Sequence, residues 1–347
     1  MGSLCSRYSE ELPCKKEDFL ESKMINTSNF KFEKVIGKGS FGRVMLVTKK
    51  DTGKQYAMKV VNKGKLIDQK KRHHTLTERY CLAELNSPFV VKLHYAFQTS
   101  DKLYFALDFM QGGELFYHLK KQSRFTEETA KFYAAEVLLG LEDVHSQGYI
   151  YRDLKPENIL LDKEGHVKLA DFNLATKPED EINKKTVCGT PEYISPEVLN
   201  GKEQNLQLDY WGLGILLYEM LEGKSPFYSK SIDKLFRNIS KAKYTVPDRF
   251  SPSAKDLVVK LLDPCPETRL SKSEQIKSHA FFKSINWDLL RSKLLTAPIK
   301  VVVGFEKDLR NFNYNHKEDF TPAPDWETPE KLANVYDNFT YAASLAK

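Results

Sequence analysis

The sequence predicts an α+β chain of two lobes, a small antiparallel β lobe carrying one main helix and a larger, mainly helical lobe, followed by an extended C-terminal tail. Three observations lead there. Strand-sized alternating or apolar pieces separated by turn signals fill the stretch from Phe30 to Asp108. After Gly112-Gly113 the apolar spacing changes to a helical period. Beyond residue 282, Pro298, Pro322, Pro324 and Pro329 stand among scattered aromatics, a pattern that fits an extended segment lying against another surface.

Taken in order, residues 1–29 are polar and lack sustained periodicity, so they read as a flexible leader. Phe32 to Gly37, Arg43 to Thr48 and Gln55 to Val61 are the first three strands, the last two joined by the turn Asp51-Thr52-Gly53-Lys54. A helix over Thr75 to Leu85 follows, then strands Val90 to Phe97 and Lys102 to Asp108. Thr126-Glu127-Glu128-Thr129 opens a long helix that runs through Val144. Further helices fit Leu206 to Leu221, Ser231 to Lys241, Ser253 to Leu262 and Ser273 to Ser278.

The chain's 347 residues, 41% hydrophobic, are enough for one large two-lobed domain and exclude a disordered or collagen-like polymer. A net charge of only +6, with both signs interspersed, selects neither nucleic acid nor an anionic membrane as partner. The short basic run Lys70-Lys71-Arg72-His73-His74 reads as a solvated helix entry, so no nucleic-acid partner is expected. The five cysteines are scattered and contain no C-x-x-C pair, as reduced thiols of a cytoplasmic protein would be. Apolar runs fall far short of the roughly 18 to 20 residues a membrane helix needs.

Met1-Gly2-Ser3-Leu4-Cys5-Ser6 fits the pattern for N-myristoylation of Gly2 once Met1 is removed. One such chain binds membranes only marginally, with a constant of about 10⁴ M⁻¹, so Cys5 is the candidate for a second, palmitoyl anchor. These acyl groups would give an otherwise cytoplasmic protein its contact with a membrane.

Gly37-Lys38-Gly39-Ser40-Phe41-Gly42 matches G-x-G-x-x-G. A dinucleotide fold would need a helix next. A strand comes next instead, and strand, glycine loop, strand is the arrangement that lays backbone amides over nucleotide phosphates; the alternative is a hairpin whose glycines are structural. Lys59 lies inside the apolar strand Ala57 to Val61, where an ammonium requires an anionic partner, and Glu78 on the following helix is the best placed carboxylate.

The most informative stretch is Tyr151-Arg152-Asp153-Leu154-Lys155-Pro156-Glu157-Asn158, with Asp171-Phe172-Asn173 beyond it. Ile159 to Leu161 and Val167 to Leu169 form a hairpin turned at Asp162 to Gly165, which would return Asn158 and Asp171 to the same place. Two hard oxygen ligands then suit Mg²⁺ held against phosphates. Asp153 is positioned to take a proton from an attacking hydroxyl, and Lys155 to offset charge on the transferred group.

On these motifs the chain resembles the eukaryotic protein kinases, and more narrowly the AGC serine/threonine group that includes the cAMP-dependent, protein kinase C and Akt types. Tyr151-Arg152-Asp153, Lys155 followed by Pro156-Glu157-Asn158, and Cys188-Gly189-Thr190-Pro191-Glu192-Tyr193 carry the group-specific likeness. The resemblance implies the protein-kinase bilobal fold, with a kinase domain at 30–282 (small lobe 30–107, hinge 108–110, large lobe 111–282) and an AGC tail at 283–347. It implies transfer of the γ-phosphoryl group of Mg-ATP to Ser/Thr hydroxyls of proteins by a monomer. Ile36, Arg43, Val44 and Ala57 join the glycine loop in the nucleotide set, with Leu107 as gatekeeper, Asp108 and Met110 on the adenine, and Glu114 on the ribose. Glu197 is expected to pair with Arg269, and Asp209 to brace the catalytic loop.

The resemblance also implies control by an upstream activating kinase. Thr186 matches the activation-loop phosphorylation site, its phosphate to be read by Arg152 and His74. Tyr336-Asp337-Asn338-Phe339-Thr340-Tyr341 resembles the hydrophobic motif, with Thr340 phosphorylatable, and Thr321 is the candidate turn-motif site with Thr328 as its rival. Glu114, Glu157 and Glu219 match positions that recognise arginines two and three residues before the target hydroxyl.

One departure stands out, since Asn173 replaces the glycine of Asp-Phe-Gly. Asparagine is among the few residues that tolerate positive φ, so an active enzyme with a stiffer Asp-Phe switch is expected. A large gain in turnover for Asn173→Gly would show that the native residue restrains catalysis. The competing class is a nucleotide-binding pseudokinase scaffold, against which stand Lys59, Asp153, Asn158 and Asp171.

Overall fold

The computed structural model describes residues 25–38, 42–180, 186–304, 309, 311, 336 and 339–343. Gly2, Cys5, Gly39, Ser40, Phe41, Thr321 and Thr328 lie outside the described residues. Two compact units emerge. One holds the described residues up to Leu66, Leu93–Asp108 and those after residue 318; the other holds Ile67–Lys92 and the described residues from Phe109 through residue 318.

The first unit is a six-stranded antiparallel sheet. Strands β1 (Phe30–Lys38), β2 (Gly42–Lys49) and β3 (Gln55–Asn62) form the meander, with Gly53 at φ +67° in the turn that the residue between two strands must make. In the second unit α1 (Gln69–Glu84) begins six residues earlier than the pattern Thr75 to Leu85 suggests, because the Asp68 side chain accepts the Lys70 and Lys71 amides at 2.8 and 3.2 Å and starts the helix there. Thr75, Glu78, Arg79 and Leu82 share its buried face at helical spacing.

Strands β4 (Leu93–Gln98) and β5 (Lys102–Asp108) return to the sheet unit. Strand β4 starts later than the apolar run, since Val90 instead bridges Leu169 in the helical unit and the Val91 amide donates to the Leu169 carbonyl. Further along the chain, β9 (Tyr341–Ala342) comes back to the outer edge of β4, giving the order β1-β2-β3-β5-β4-β9. Alternate residues from both halves, Val35, Met45, Val47, Tyr56, Met58, Phe97 and Tyr104, make one apolar core face.

The helical unit opens with β6 (Gly113–Glu114) and α2 (Leu115–Gln122). Its central helix α3 (Glu127–Ser146) begins at Thr126, whose hydroxyl accepts the Thr129 amide, and is buried almost all round. The short strands β7 (Ile159–Leu161) and β8 (Val167–Leu169) join β6 in a three-stranded sheet with β7 in the middle. Buried Glu136 on α3 fastens this hairpin, taking the Val167 amide at 2.8 Å on one oxygen and His166 Nδ1 at 2.6 Å on the other. Helices α4 (Pro196–Leu199), α5 (Gln207–Glu222), α6 (Ile232–Ser240), α7 (Pro252–Leu261), α8 (Ser273–Lys277) and α9 (Trp287–Arg291) complete the unit, α5 ending at Gly223 in the left-handed conformation.

Candidate active site

The catalytic loop, Tyr151 to Asn158, lies in the helical unit and is fixed from beneath by a carboxylate. Asp209, in the first turn of α5, accepts the Tyr151 amide on one oxygen and the Arg152 amide on the other, both at 2.8 Å. His145 Nε2 meets the same carboxylate at 2.7 Å. This bracing holds Arg152 at φ +68°, a conformation a side-chain-bearing residue adopts only when its surroundings over-determine it.

Above that support, Asp153 is 6% exposed and three donors converge on its carboxylate. Lys155 Nζ and Asn158 Nδ2 donate to Oδ2 at 2.8 and 2.7 Å, and the Thr190 hydroxyl donates to Oδ1 at 3.2 Å. Lys155 Nζ also donates to Thr190 Oγ1 at 3.1 Å, so loop and activation segment share one network. Spacing in the sequence points to Asp153, Lys155 and Asn158; the part played by Thr190 appears only in the fold, its one signal being the Gly189-Thr190-Pro191-Glu192 run.

The hairpin brings the two expected oxygen ligands, Asn158 and Asp171, to its open end. Ile159 pairs with Leu169, and the Ala170 amide donates to the Asn158 carbonyl at 2.9 Å, leaving Asp171 next in the chain. Asn158 also donates to the Asp153 carbonyl at 2.9 Å, so its amide nitrogen is committed and its side-chain oxygen is the end left for a cation. An amide oxygen beside a carboxylate is a donor set that suits a hard divalent ion. Behind Asp171, Phe172 is fully buried and packs on Tyr151 with ring centroids 4.9 Å apart, while the Tyr151 hydroxyl donates to the Ala170 carbonyl.

The backbone here corrects the reason expected for Asn173. Within Asp171-Phe172-Asn173 positive φ falls at Asp171, +55°, and not at Asn173. Glycine's freedom is therefore not required at the third position of Asp-Phe-Asn in this conformation. The Asn173 side chain is used instead, its Nδ2 donating to Asp171 Oδ1 at 3.0 Å.

Nucleotide-set residues of the sheet unit are placed by register. Gly37 pairs with Val44 and Lys38 with Arg43 at the head of the β1–β2 hairpin, with Ile36 on the strand behind. Val44 in turn faces Lys59, which sits mid-strand opposite Phe105. Ala57 lies opposite Leu107, and Asp108 ends β5 with its carboxylate on His94 Nε2 at 2.7 Å. The glycines differ in kind. A Cβ on Gly42 would stand 1.7 Å from the Val60 carbonyl, so this glycine serves strand packing, whereas on Gly37 it would meet only Val44 at 3.6 Å. In the helical unit Glu78 is buried on α1, Met110 is buried with its carbonyl accepting the Gly113 amide at 3.1 Å, and Glu114 pairs with Leu160.

The acidic residues of the helical unit sense one another. Burial pushes the Glu219 carboxyl above the usual range, the Tyr193 hydroxyl donating at 2.6 Å pulls it back, and Glu157 and Glu192 add to the rise. Glu114 is also raised, by desolvation first and by Glu157 second. Glu192 and Tyr193 thus join the expected set.

Around Thr186, Arg152 is already engaged. Its Nε donates to the Leu174 carbonyl at 2.6 Å and its Nη1 to Gln204 Oε1 at 3.0 Å, while Gln204 Nε2 donates to the Thr186 carbonyl at 2.8 Å. His73, the neighbour of His74, meets Asp180 at 2.5 Å. No spacing in the sequence points to Gln204 or Asp180. Glu197 and Arg269 form a buried two-bond pair at 2.6 and 2.8 Å, with the guanidinium over the Trp211 ring. In the sheet unit Phe339, fully buried, packs edge-on against Phe105, and Thr340 leads into β9.

Comparison with known proteins decides the family. The model described as protein kinase domain matches residues 30–282. The chain belongs to the protein kinase family. It is 47% identical over 330 residues to a RAC family serine/threonine-protein kinase homolog of Dictyostelium discoideum, covering 93% of this chain and 74% of that one. It is 41% identical over 328 residues to serine/threonine-protein kinase YPK1 of Saccharomyces cerevisiae (93% and 48%), and 42% identical over 333 residues to RAC-beta serine/threonine-protein kinase A of Xenopus laevis (92% and 68%). The chain thus spans about half the length of the yeast relative and more of the other two. These likenesses place this kinase in the AGC group, as an enzyme that phosphorylates serine or threonine of protein substrates in signalling. No helix among its described residues is long and apolar enough to cross a membrane.

Proposed function

We propose that this kinase transfers the γ-phosphoryl group of ATP, with Mg²⁺, to Ser/Thr hydroxyls that lie two and three residues after arginines. The observation that carries the reading is the Asp153 carboxylate held by Lys155, Asn158 and Thr190 at the open end of the β7–β8 hairpin. Asp153 accepts the proton of the attacking hydroxyl as the new O–P bond forms and the bond from phosphorus to the oxygen of the departing ADP breaks. Lys155 offsets charge on the group in transit, and its bond to Thr190 keeps it pointed at the site.

Asn158 and Asp171 would hold magnesium, which when bound neutralises charge on the phosphate oxygens. Lys59, with Glu78 as its anionic partner, would serve the phosphates beneath the glycine loop. Ile36, Val44, Ala57, Leu107, Asp108 and Met110 would receive the adenine, and Glu114 the ribose. Glu114, Glu157 and Glu219 recognise substrate arginines, for which mutually repelling carboxylates are a suitable site.

Thr186, Thr340 and Thr321 are the regulatory phosphorylation sites, served by an upstream kinase. Gly2 and Cys5 carry acyl groups that bring a cytoplasmic monomer to a membrane surface. The test is phosphotransfer to a peptide with Arg at both upstream positions, beside the same peptide with alanines there and beside Asp153→Asn. Activity of the parent no greater than that of Asp153→Asn would refute the assignment of Asp153, and equal rates on the two peptides would refute the arginine preference.

A further inference from the structure

Most of the chain's net charge of +6 falls in one short stretch, residues 230–243, where Lys230, Lys234, Arg237, Lys241 and Lys243 stand against Asp233 alone. All of these residues are exposed, and among the described residues the five basic side chains have no hydrogen-bond or ion-pair partner. Lys234 and Arg237 on α6 and Lys241 at its C-cap are spaced i, i+3 and i+7, one stripe along the helix, while Leu235 and Ile239 are buried on the other side.

The helix itself does not account for this charge. A cation is favourable in the last turn, where Arg237 and Lys241 stand, but unfavourable in the first, where Lys234 follows Lys230. Nor does the set suit one shaped anion. Four of the five are lysines, compact point charges on flexible stems, whereas bidentate recognition of a carboxylate or phosphate favours arginine. Point charges along one stripe match a diffuse negative field instead. At the entry to the same helix Tyr228 and Ile232 are 58% and 49% exposed, an aromatic ring and a branched apolar chain on either side of Lys230 in the sequence. Basic residues with tyrosine and apolar side chains among them are the composition of a surface that lies against lipid headgroups.

We propose that the α6 face of the helical unit docks on an anionic phospholipid surface, with Lys230, Lys234, Arg237, Lys241 and Lys243 on the headgroups and Tyr228 and Ile232 at the acyl boundary. This contact needs no acyl group on Gly2 or Cys5. Where an acyl chain is present, a basic surface is the kind of second signal that makes anchoring stable.

The test is sedimentation of the full chain, made without acyl groups, with vesicles of phosphatidylcholine alone or of roughly two parts phosphatidylcholine to one of phosphatidylserine. Binding should require phosphatidylserine and fall between about 0.1 M and about 1 M salt, as the reach of the field shrinks from about 10 Å to about 3 Å. Each basic residue near such a surface raises partitioning about fivefold, so Lys234→Gln with Arg237→Gln and Lys241→Gln should weaken binding by about 100-fold. Lys230→Gln with Lys243→Gln, outside the helix, should weaken it by about 20-fold and stands in if the helix set fails to fold. Lys163→Gln with Lys272→Gln and Lys283→Gln, the same charge removed from exposed sites elsewhere in the unit, should change it by no more than about threefold. Tyr228→Ser with Ile232→Ser should weaken it about tenfold. Peptide phosphorylation without vesicles, unchanged in each variant, reports that the chain is folded. Equal losses in the α6 set and the distant set would make binding a matter of net charge and overturn the docking face. Vesicle binding that the α6 set leaves intact also overturns it. Indifference to Tyr228 and Ile232, or α6-dependent capture of soluble polyglutamate without α6-dependent vesicle binding, would replace the membrane by an acidic protein as the occupant.

Discussion

The catalytic loop and the glycine hairpin present their functional residues by different physical means. In the loop the polar groups are tied by side-chain hydrogen bonds, Asp209 to the backbone and Thr190 to Asp153 from far away in sequence and Lys155 to Asp153 from within the loop, and the residues sit in a largely buried setting. In the hairpin the β-register sets backbone position, Gly37 against Val44, Val44 against Lys59, with apolar packing on the opposite face of the sheet. Buried polar networks fix atoms sharply but fail as a unit when one member is lost. A strand register tolerates changes on its open face and fails where two backbones meet.

The largest effect should come from the centre of the network. Asp153→Asn is expected to lower kcat by about 10²- to 10⁴-fold, the range for removal of a general base, while leaving nucleotide affinity nearly unchanged. Thr190→Val should cost less, since Lys155 and Asn158 still hold the carboxylate. Single-turnover kinetics distinguish loss of chemistry from slower product release; a Thr190→Val defect as deep as that of Asp153→Asn would mean that the hydroxyl, not the carboxylate, is the central group.

Next comes the buried pair at the base of the same unit. Arg269 is 3% exposed and Glu197 5%, so Glu197→Gln leaves a guanidinium with half its charge-assisted bonding in a dry site. Removing one partner of such a pair typically costs about 3–5 kcal/mol, to be read as a fall in the denaturation midpoint. If the loss stayed within the few tenths of a surface change, the pair would have no structural weight.

How much of this was legible beforehand follows the same division. The strands and the β7–β8 hairpin were readable because their periodicity and turn residues are local, and Asp153, Lys155 and Asn158 because they share one loop. Helix α1 starts earlier than its apolar period indicates because a cap, Asp68, begins it. Val90 looks like part of a strand because its neighbours are apolar, yet it bridges Leu169 within the helical unit, with the Val91 amide donating to the Leu169 carbonyl. Gln204, Asp180 and Tyr193 act through contacts across many residues of sequence, which no spacing rule encodes. At Asn173 the sequence suggests backbone freedom, whereas its side-chain hydrogen bond to Asp171 is visible only in the fold.

The glycine hairpin supplies a smaller, sharper contrast. Gly42→Ala forces a methyl onto the Val60 carbonyl and should destabilise the sheet unit by about 1–3 kcal/mol, the usual range for overpacking. Gly37→Ala meets only an ordinary contact and should leave stability nearly unchanged while weakening ATP binding, if the amides there approach phosphates. Thermal melting and nucleotide titration of the two variants give opposite rankings under this view. Equal melting losses would remove the distinction between a packing glycine and a ligand-facing one.

The acidic cluster gives the mildest effect and the one that pH can dissect. Burial first, then Glu157 and Glu192, hold the Glu219 carboxyl above its usual range, against the pull of Tyr193. A guanidinium binds the ionised form, so the preference for an Arg peptide over its Ala counterpart is complete above that raised pKa and declines as pH falls through it. The ratio of kcat/KM values for the two peptides cancels titrations common to both, including that of the general base. A hydrogen bond to a charged group contributes about 1.5–3 kcal/mol, so the preference should shrink by roughly tenfold across the transition. Glu219→Gln should show the reduced preference at every pH, with a flattened profile. Tyr193→Phe removes the hydroxyl that stabilises the carboxylate, so its decline should begin at higher pH than in the parent. A profile that Tyr193→Phe leaves in place would separate Glu219 from arginine recognition and return that role to Glu114 and Glu157.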